Sequence, residues 1–338
     1  MILIIGATSF IGLYTSKAFI DAGYKVVGTG RNLLSGRILK DFGVNFIELD
    51  ITKESDFEKL PTEEVDGVIL LAGLLPANSK ADLKTTENAA DYFWVNVIGT
   101  INVLEYCRRN NFKKVIGACS YGDVSNTWGS GRIITEDEPR SFSFTGDHAS
   151  YIISKNAAND MMEYYNQQHR MQCAVFRFPQ VYGVCPHNIG YFLVDGKPRI
   201  SGTGNFIRKA KIGENIELWG NPRVAKDIVY VKDVAQAYIK ALASDKTRGL
   251  YNITGHMQVT LEDQAKAVIK VFGNENSKII YRPEKISYDR PPYLYSIDKA
   301  KRDFGYSPQY TDFVKIMEDY KIELESGRWN EWINSRSN

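Results

Sequence analysis

The chain is poor in several things that would mark a specialised class. Its 338 residues include only four cysteines and four histidines. Cys107, Cys119, Cys173 and Cys185 form no C-x-x-C pair and do not cluster with histidine, so neither a disulfide scaffold nor a metal site is indicated, and free thiols in a reducing compartment are expected. Excess charge is missing as well: 42 Lys and Arg stand against 40 Asp and Glu. That balance excludes the broad positive field that gathers nucleic acid or an anionic membrane, so any anionic ligand must be held by local groups. No apolar run approaches the roughly 20 residues of a membrane span. The apolar start "MILIIGATSFIG" lacks a basic leader and reaches glycine too early for a signal peptide. A cytoplasmic protein without metal, nucleic acid or membrane partners is expected.

With 43% hydrophobic residues, the chain can pack a core in one large domain or two ordinary ones. "ILIIG" is a short continuous apolar run ending in glycine, the pattern of a strand buried on both faces of a parallel sheet. From Phe10 the sequence "FIGLYTSKAFIDAGYK" places Ile11, Tyr14, Ala18 and Phe19 at helical spacing, with Gly23 as the stop. "YKVVGTG" is the next strand. Strand, glycine turn, helix and strand make one βαβ unit, and its turn "GATSFIG" has Gly6 where the chain bends and Gly12 where helix meets sheet.

A helix N-terminus in that position offers unpaired N–H groups and the positive end of a dipole, which together suit a pyrophosphate. Ser9 stands where the middle glycine of the usual turn would be. At the end of the second strand, "GTGRN" has Arg31 and no carboxylate for the ribose hydroxyls, which favours NADP, with NAD as the alternative. Further strand-like runs, "NFIELDIT", "VDGVILLAG" and "KKVIGACS", continue the parallel pattern to about residue 120.

These segments, in this order, resemble the extended short-chain dehydrogenase/reductases, in the branch of nucleotide-sugar epimerases, dehydratases and reductases. The resemblance covers nearly the whole chain. It rests on "GATSFIG", "LDIT", "LLAG", "WVNVIGTINVLEYCRRNNFKKVI", "YIISK", "FRFPQVYG", "KDIVYVKDVAQAY", "LYNITG" and "DKAKRDFGYSP". It implies an α/β fold: a Rossmann-like doubly wound parallel sheet over residues 1–180, with a strand and helix returning near 225–245. A smaller C-terminal substrate-binding subdomain would lie mainly within 181–338.

By the same resemblance Gly6, Ser9, Phe10, Ile11 and Gly12 lie at the pyrophosphate turn, and Asp50 and Ile51 beside the adenine. Leu71, Ala72, Gly73, Asn96, Phe178 and Pro179 contact the cofactor. Asp50 read by itself is equally a strand-end cap, and Asn96 a tie from helix to backbone.

Three segments carry the pattern Y-x-x-x-K: "YIISK" (Tyr151 to Lys155), "YRPEK" and "YSIDK". Pro283 breaks a regular helix through the second, and the third falls outside the nucleotide-binding sheet. Only the first combines helical patterning with a position between two sheet strands, so that Tyr151 and Lys155 share one helix face. A tyrosine of ordinary pKa, about 10, is too weak an acid to serve as a base at neutral pH. A nearby ammonium and an oxidised nicotinamide would favour the phenolate, and Lys155 would also hold the nicotinamide ribose.

The third catalytic partner implied by the family is a hydroxyl at the end of the preceding strand. Aligning "VIGACS" puts Ser120 there; aligning on the following "YG" leaves no hydroxyl, with Ser125 and Thr127 in reserve. For the substrate, expected to be a nucleoside-diphosphate sugar, candidates are Gln180, Arg223 and Arg290. No Thr-Asp-Glu run follows the central strand, which disfavours a 4,6-dehydratase. An epimerase is expected first, a keto-sugar reductase or dehydrogenase second, and a non-catalytic dinucleotide-binding relative as the reading of another class. Helices beginning near Ala89 and Tyr151 would pair two subunits in a homodimer.

Overall fold

The computed structural model describes residues 1–76, 89–146, 148–186, 191–194, 197–285 and 290–334. A parallel seven-stranded sheet organises the chain. In spatial order its strands are Gly249–Asn252, β6 (Gln172–Phe178), β5 (Lys114–Ser120), β4 (Gly67–Leu70), β1 (Ile2–Ile5), β2 (Val26–Gly30) and β3 (Asn45–Glu48). The order reverses between β1 and β4, which is where a doubly wound sheet opens a crevice at its carboxyl edge.

Both faces of this sheet are covered, and the apolar runs show how. Along β1, Ile2 and Ile4 enter one hydrophobic core while Leu3 and Ile5 enter the other, and all four are at most 2% exposed. On the first face lie α1 (Phe10–Asp21), α2 (Leu33–Asp41) and the helix Val231–Ala243, which packs along α1. On the second lie α4 (Gly99–Arg109) and α5 (Ala149–His169). Between α3 (Ala89–Phe93) and α4, the segment Trp94–Ile98 widens into a π-helical turn, a feature that alternating hydrophobicity cannot reveal.

The returning helix expected near 225–245 is in place. The strand just before it, Ala225–Tyr230, does not rejoin the large sheet, however. It pairs in parallel with β7 (Gln180–Tyr182) and antiparallel with Gln258–Thr260, and the seventh strand of the large sheet is Gly249–Asn252. Beyond β7 there is also a parallel pair, Ile216–Trp219 with Ile279–Arg282. Much of this part shares the core of the sheet: Ile216, Leu218, Val268 and Ile316 belong to the same hydrophobic cluster as Leu13, Phe19 and Leu39. Packing is therefore continuous across residue 180.

Candidate active site

Two cavities open at the carboxyl edge of the large sheet and meet at Leu75. The first, about 480 Å³, lies beside the glycine turn. Its lining includes Gly6, Thr8, Ser9, Arg31, Asn32, Asp50, Ile51, Leu71, Ala72 and Gly73.

Its shape follows from close backbone approaches. Gly6 has φ of +89°, and a Cβ there would stand 2.3 Å from the amide nitrogen of Ala72; a Cβ on Gly12 would stand 2.4 Å from the Gly6 carbonyl oxygen. Only glycine permits both contacts. Ser9, in place of the usual middle glycine, caps α1: its hydroxyl oxygen accepts from the Gly12 N–H at 3.1 Å. The first turn of α1 carries no acidic residue, so nothing competes with an anion for the dipole. The site thus suits a dinucleotide.

At the far end Arg31 lies 3.6 Å from Asp50. No carboxylate ends β2, as the sequence indicates, but one arrives from just past β3. Burial alone would raise the Asp50 carboxyl; hydrogen bonds from the Thr52 N–H and hydroxyl, with the charges of Arg31 and Lys53, outweigh it and leave the group below its ordinary value. A Cβ on Gly30 would fall 2.0 Å from the Thr8 hydroxyl, so the end of β2 has no room for a larger side chain.

The second cavity, about 510 Å³, brings together Ile11, Ser120, Tyr121, Ser125, Trp128, His148, Tyr151, Phe178, Pro179 and Arg290. Ser120 ends β5 and is nearly buried; its oxygen accepts from the Gly122 N–H at 3.2 Å. Tyr151 sits in the first turn of α5, its ring 6.1 Å from that of Tyr92. Lys155 lies one turn further and lines neither cavity; a Cβ on Gly73, in the first cavity, would stand 4.0 Å from its Nζ and 3.1 Å from the Asn96 Oδ1.

Asn96, in the π-helical turn, lines neither cavity and is 1% exposed. Its amide donates to the Leu74 carbonyl at 3.1 Å and to the Ser154 hydroxyl at 3.0 Å, while its oxygen accepts from the Leu74 N–H at 2.7 Å. It ties the strand-end loop after Gly73 to α5 at Ser154, next to Lys155.

In the free protein, the electrostatics of this pair are set by burial. Burial pushes the Tyr151 phenol well above its ordinary value, and Cys119, Tyr121 and Tyr92 add to the effect. Burial also pulls the Lys155 ammonium down, with Cys119 opposing. A lysine one turn away does not by itself make a phenolate here, because the same low-dielectric surroundings disfavour both charges.

Arg290 enters the second cavity over an aromatic stack. Tyr121, Trp128 and Tyr293 pack as a trio, with centroids 5.5 Å apart for Tyr121 and Trp128, 4.6 Å for Trp128 and Tyr293 and 5.9 Å for Tyr121 and Tyr293, and the guanidinium is 6.0 Å from the Tyr121 ring and 5.9 Å from that of Trp128. It also donates to the Tyr121 hydroxyl. The other two substrate candidates are elsewhere. Gln180 is exposed at the start of β7, where its neighbour Val181 faces the cavity, and Arg223 is exposed in the turn before Ala225. Phe10 lines neither cavity and packs edge-on against Tyr14.

Sequence reasoning missed Tyr121, Trp128 and His148. His148 had a legible signal, since it precedes Tyr151 by three residues on the same helix face. Tyr121 and Trp128 had none, because their place depends on a loop held from the far end of the chain.

Comparison with known proteins agrees with this geometry. The family model described as "NAD dependent epimerase/dehydratase family" matches residues 2–254. The UDP-glucuronate 4-epimerase 1 of Arabidopsis thaliana is 25% identical over 344 residues, covering 91% of this chain and 72% of that protein. The dTDP-D-glucose 4,6-dehydratase of Dictyostelium discoideum is 26% identical over 300 residues, covering 80% and 62%. Among solved structures, a UDP-N-acetylglucosamine 4-epimerase from Bacillus cereus superposes with a TM-score of 0.76 at 20% identity, covering 96% of this chain and 99% of that one, a likeness of fold. Among the described residues no helix is long and apolar enough to cross a membrane. The seven-stranded doubly wound sheet, the glycine turn and the match over three quarters of its length make this chain a member of the NAD-dependent epimerase/dehydratase family of extended short-chain dehydrogenase/reductases.

Proposed function

We propose that the protein is an NAD(P)-dependent nucleotide-sugar epimerase in which Tyr151 moves the proton of a sugar hydroxyl. The observation that carries this reading is the junction of the two cavities at Leu75. Tyr151 and Ser120 line the larger, Gly73 lines the smaller, and Lys155, one turn after Tyr151, brings its Nζ beside Gly73. A nicotinamide bound there supplies a reversible hydride acceptor and, when oxidised, a positive charge.

The chain's own residues supply the rest. The Gly6 turn and the α1 N-terminus, capped by Ser9, hold the pyrophosphate. Ile51, Leu71 and Ala72 line the adenosine side, and Lys155 orients the nicotinamide ribose. Ser120 donates to the reacting sugar oxygen, and the Tyr151 phenol oxygen takes and returns its proton. Since the phenol is raised in the free protein, Tyr151 becomes a competent base only when a positive charge arrives beside it. Arg290, braced on Tyr121 and Trp128, meets the substrate diphosphate.

Arg31 gives a reason to keep a second reading, an NADP-dependent keto-sugar reductase, because its side chain is 67% exposed at the adenosine end and available to a 2′-phosphate. NADP is the proposed cofactor and NAD the alternative. Incubation with a panel of nucleotide sugars and either cofactor tests both readings. An epimerase interconverts stereoisomers without net change in reduced nicotinamide, whereas a reductase consumes it. A protein that binds cofactor and turns over no sugar would instead be a non-catalytic relative.

Two smaller proposals follow from the surface and the thiols. Exposed Phe93, Trp94 and Ile98 on the helical stretch before and into α4, with Tyr164 on α5, suit a homodimer built from those helices. Four buried free cysteines suit a cytoplasmic setting.

A further inference from the structure

Three walls of the larger cavity are fastened to one buried ion pair. Arg177, in register with Cys119 across β5 and β6, donates from Nη2 to Asp123 Oδ2 at 2.7 Å, and the two side chains are 1% and 2% exposed. Asp123 belongs to the short helix Tyr121–Thr127 that follows Ser120. Its backbone carbonyl accepts from the Ser141 N–H at 2.8 Å, and the Ser141 carbonyl accepts from the Asn126 N–H at 2.9 Å, which fixes the segment bringing Ser143 and Thr145 to the cavity.

The other arm of the guanidinium, Nη1, donates to Asn252 Oδ1 at 3.3 Å. Asn252 in turn donates from Nδ2 to the Ile134 carbonyl at 3.3 Å. Ile134 is laced to the strap that carries Arg290: its N–H donates to the Leu294 carbonyl and its carbonyl accepts from the Ser296 N–H, each at 2.9 Å. None of these ties reaches Gly6, Ser9, Arg31, Asp50 or Gly73.

The pair is an expensive way to fill a core. Two charges are taken out of water, and the contact is single rather than forked, since Arg177 Nε and Asp123 Oδ1 have no partner among the described residues. Apolar side chains of similar volume would serve stability at least as well. What they would lack is direction.

We infer that Arg177 is a positioning residue for the larger cavity: through Asp123 and Asn252 it sets the walls that carry Tyr121, Thr145 and Arg290 without acting on the dinucleotide side. The inference rests on the reading of that cavity as the substrate side.

The test compares wild type with Arg177→Met and Arg177→Lys by amide hydrogen exchange, cofactor affinity and steady-state kinetics. In Arg177→Met, exchange of 121–128 and 293–296 is expected to speed at least tenfold while residues 2–16 stay within twofold. NAD and NADP affinities should stay within twofold, and KM for the nucleotide sugar should rise at least tenfold with a smaller fall in kcat. Arg177→Lys retains a single contact to Asp123 and cannot reach Asn252 as well, so it is expected to protect 121–128 and release 293–296. That variant decides the matter if Arg177→Met does not fold.

Equal acceleration in 2–16 and 121–128 would overturn the inference, as would unchanged exchange in 121–128 and 293–296. If wild type turns over no nucleotide sugar, the substrate reading falls, while the exchange and cofactor measurements still decide the positioning role.

Discussion

The two cavities that meet at Leu75 are built on opposite plans. The smaller is made at the carboxyl ends of β1 to β4, almost wholly from short runs of neighbouring residues, Ile5 to Ser9, Thr29 to Asn32, Leu49 to Ile51 and Leu71 to Leu75. The larger draws on residues from Ile11 to Arg290 and is walled by bulky side chains held by ties across the molecule. The first plan depends on how closely strands and helix approach; the second depends on what distant segments deliver. Substitutions should therefore separate the two, acting through backbone approach on one side and through side-chain chemistry on the other.

The largest separation is expected from Tyr151→Phe. It removes the oxygen that carries the proton and leaves the ring packed against Tyr92. Turnover should fall by about 10²–10⁴ or more, the usual contribution of a positioned acid or base, with cofactor affinity unchanged. Fluorescence titration of NADH or NADPH checks the second half. A tenfold loss of cofactor affinity would mean that the two cavities are not separable at this residue.

Gly6→Ala should do the reverse. The new methyl would meet the Ala72 nitrogen at 2.3 Å from a backbone at φ +89°, so the turn must move. A loss of about 3 kcal/mol in urea denaturation is expected from the strain and the clash together, with weakened cofactor binding. Unchanged stability would show that the smaller cavity does not depend on that approach.

Arg290→Ala tests the delivered side. Losing a charge-assisted contact to a diphosphate should raise KM about ten- to a hundredfold, with kcat and cofactor affinity little changed. If the variant binds substrate like wild type, the aromatic stack braces an arginine for some other purpose.

The same division explains what could be read from the sequence. Gly6, Gly12 and the two hydrophobic periods were legible because each reports a local requirement: a bend, a close approach, a strand buried on both faces. Tyr151 and Lys155 were legible as a pair because a helix puts residues four apart on one face. The acidity of Tyr151 was not, since its burial, and the smaller charge effects of Cys119, Tyr121 and Tyr92, are properties of the assembled site. Nor was the seventh strand, because "IVYV" and "LYNI" are both apolar runs and only pairing decides which joins the large sheet. Where Arg223 lies was not legible for a related reason: an arginine near a predicted strand carries no mark of which way its turn faces.

The smallest effect sets two carboxyls against each other. Asp50, at the smaller cavity, lies below its ordinary value, so its contribution to stability is complete above the unfolded pKa of about 4 and is lost only as pH falls through the depressed folded one. Asp227, behind the larger cavity, is the opposite case. It is fully buried, accepts from the Tyr295 N–H at 3.0 Å, and burial pushes its carboxyl up to about 7, against those bonds. A raised carboxyl binds its proton more tightly folded than unfolded. The protein therefore gains from that proton below about pH 4 and loses the gain as pH rises through 7. Between pH 6 and 8 only the second group changes charge, so the melting temperature should fall with rising pH by the equivalent of about 1 kcal/mol. Asp227→Asn keeps an acceptor for the Tyr295 N–H and removes the titration. Calorimetry across that range should then give a flatter profile, while Asp50→Asn should leave the slope as it is. If the two variants flatten it equally, the pH response does not belong to the larger cavity and the contrast between the two plans fails at its base.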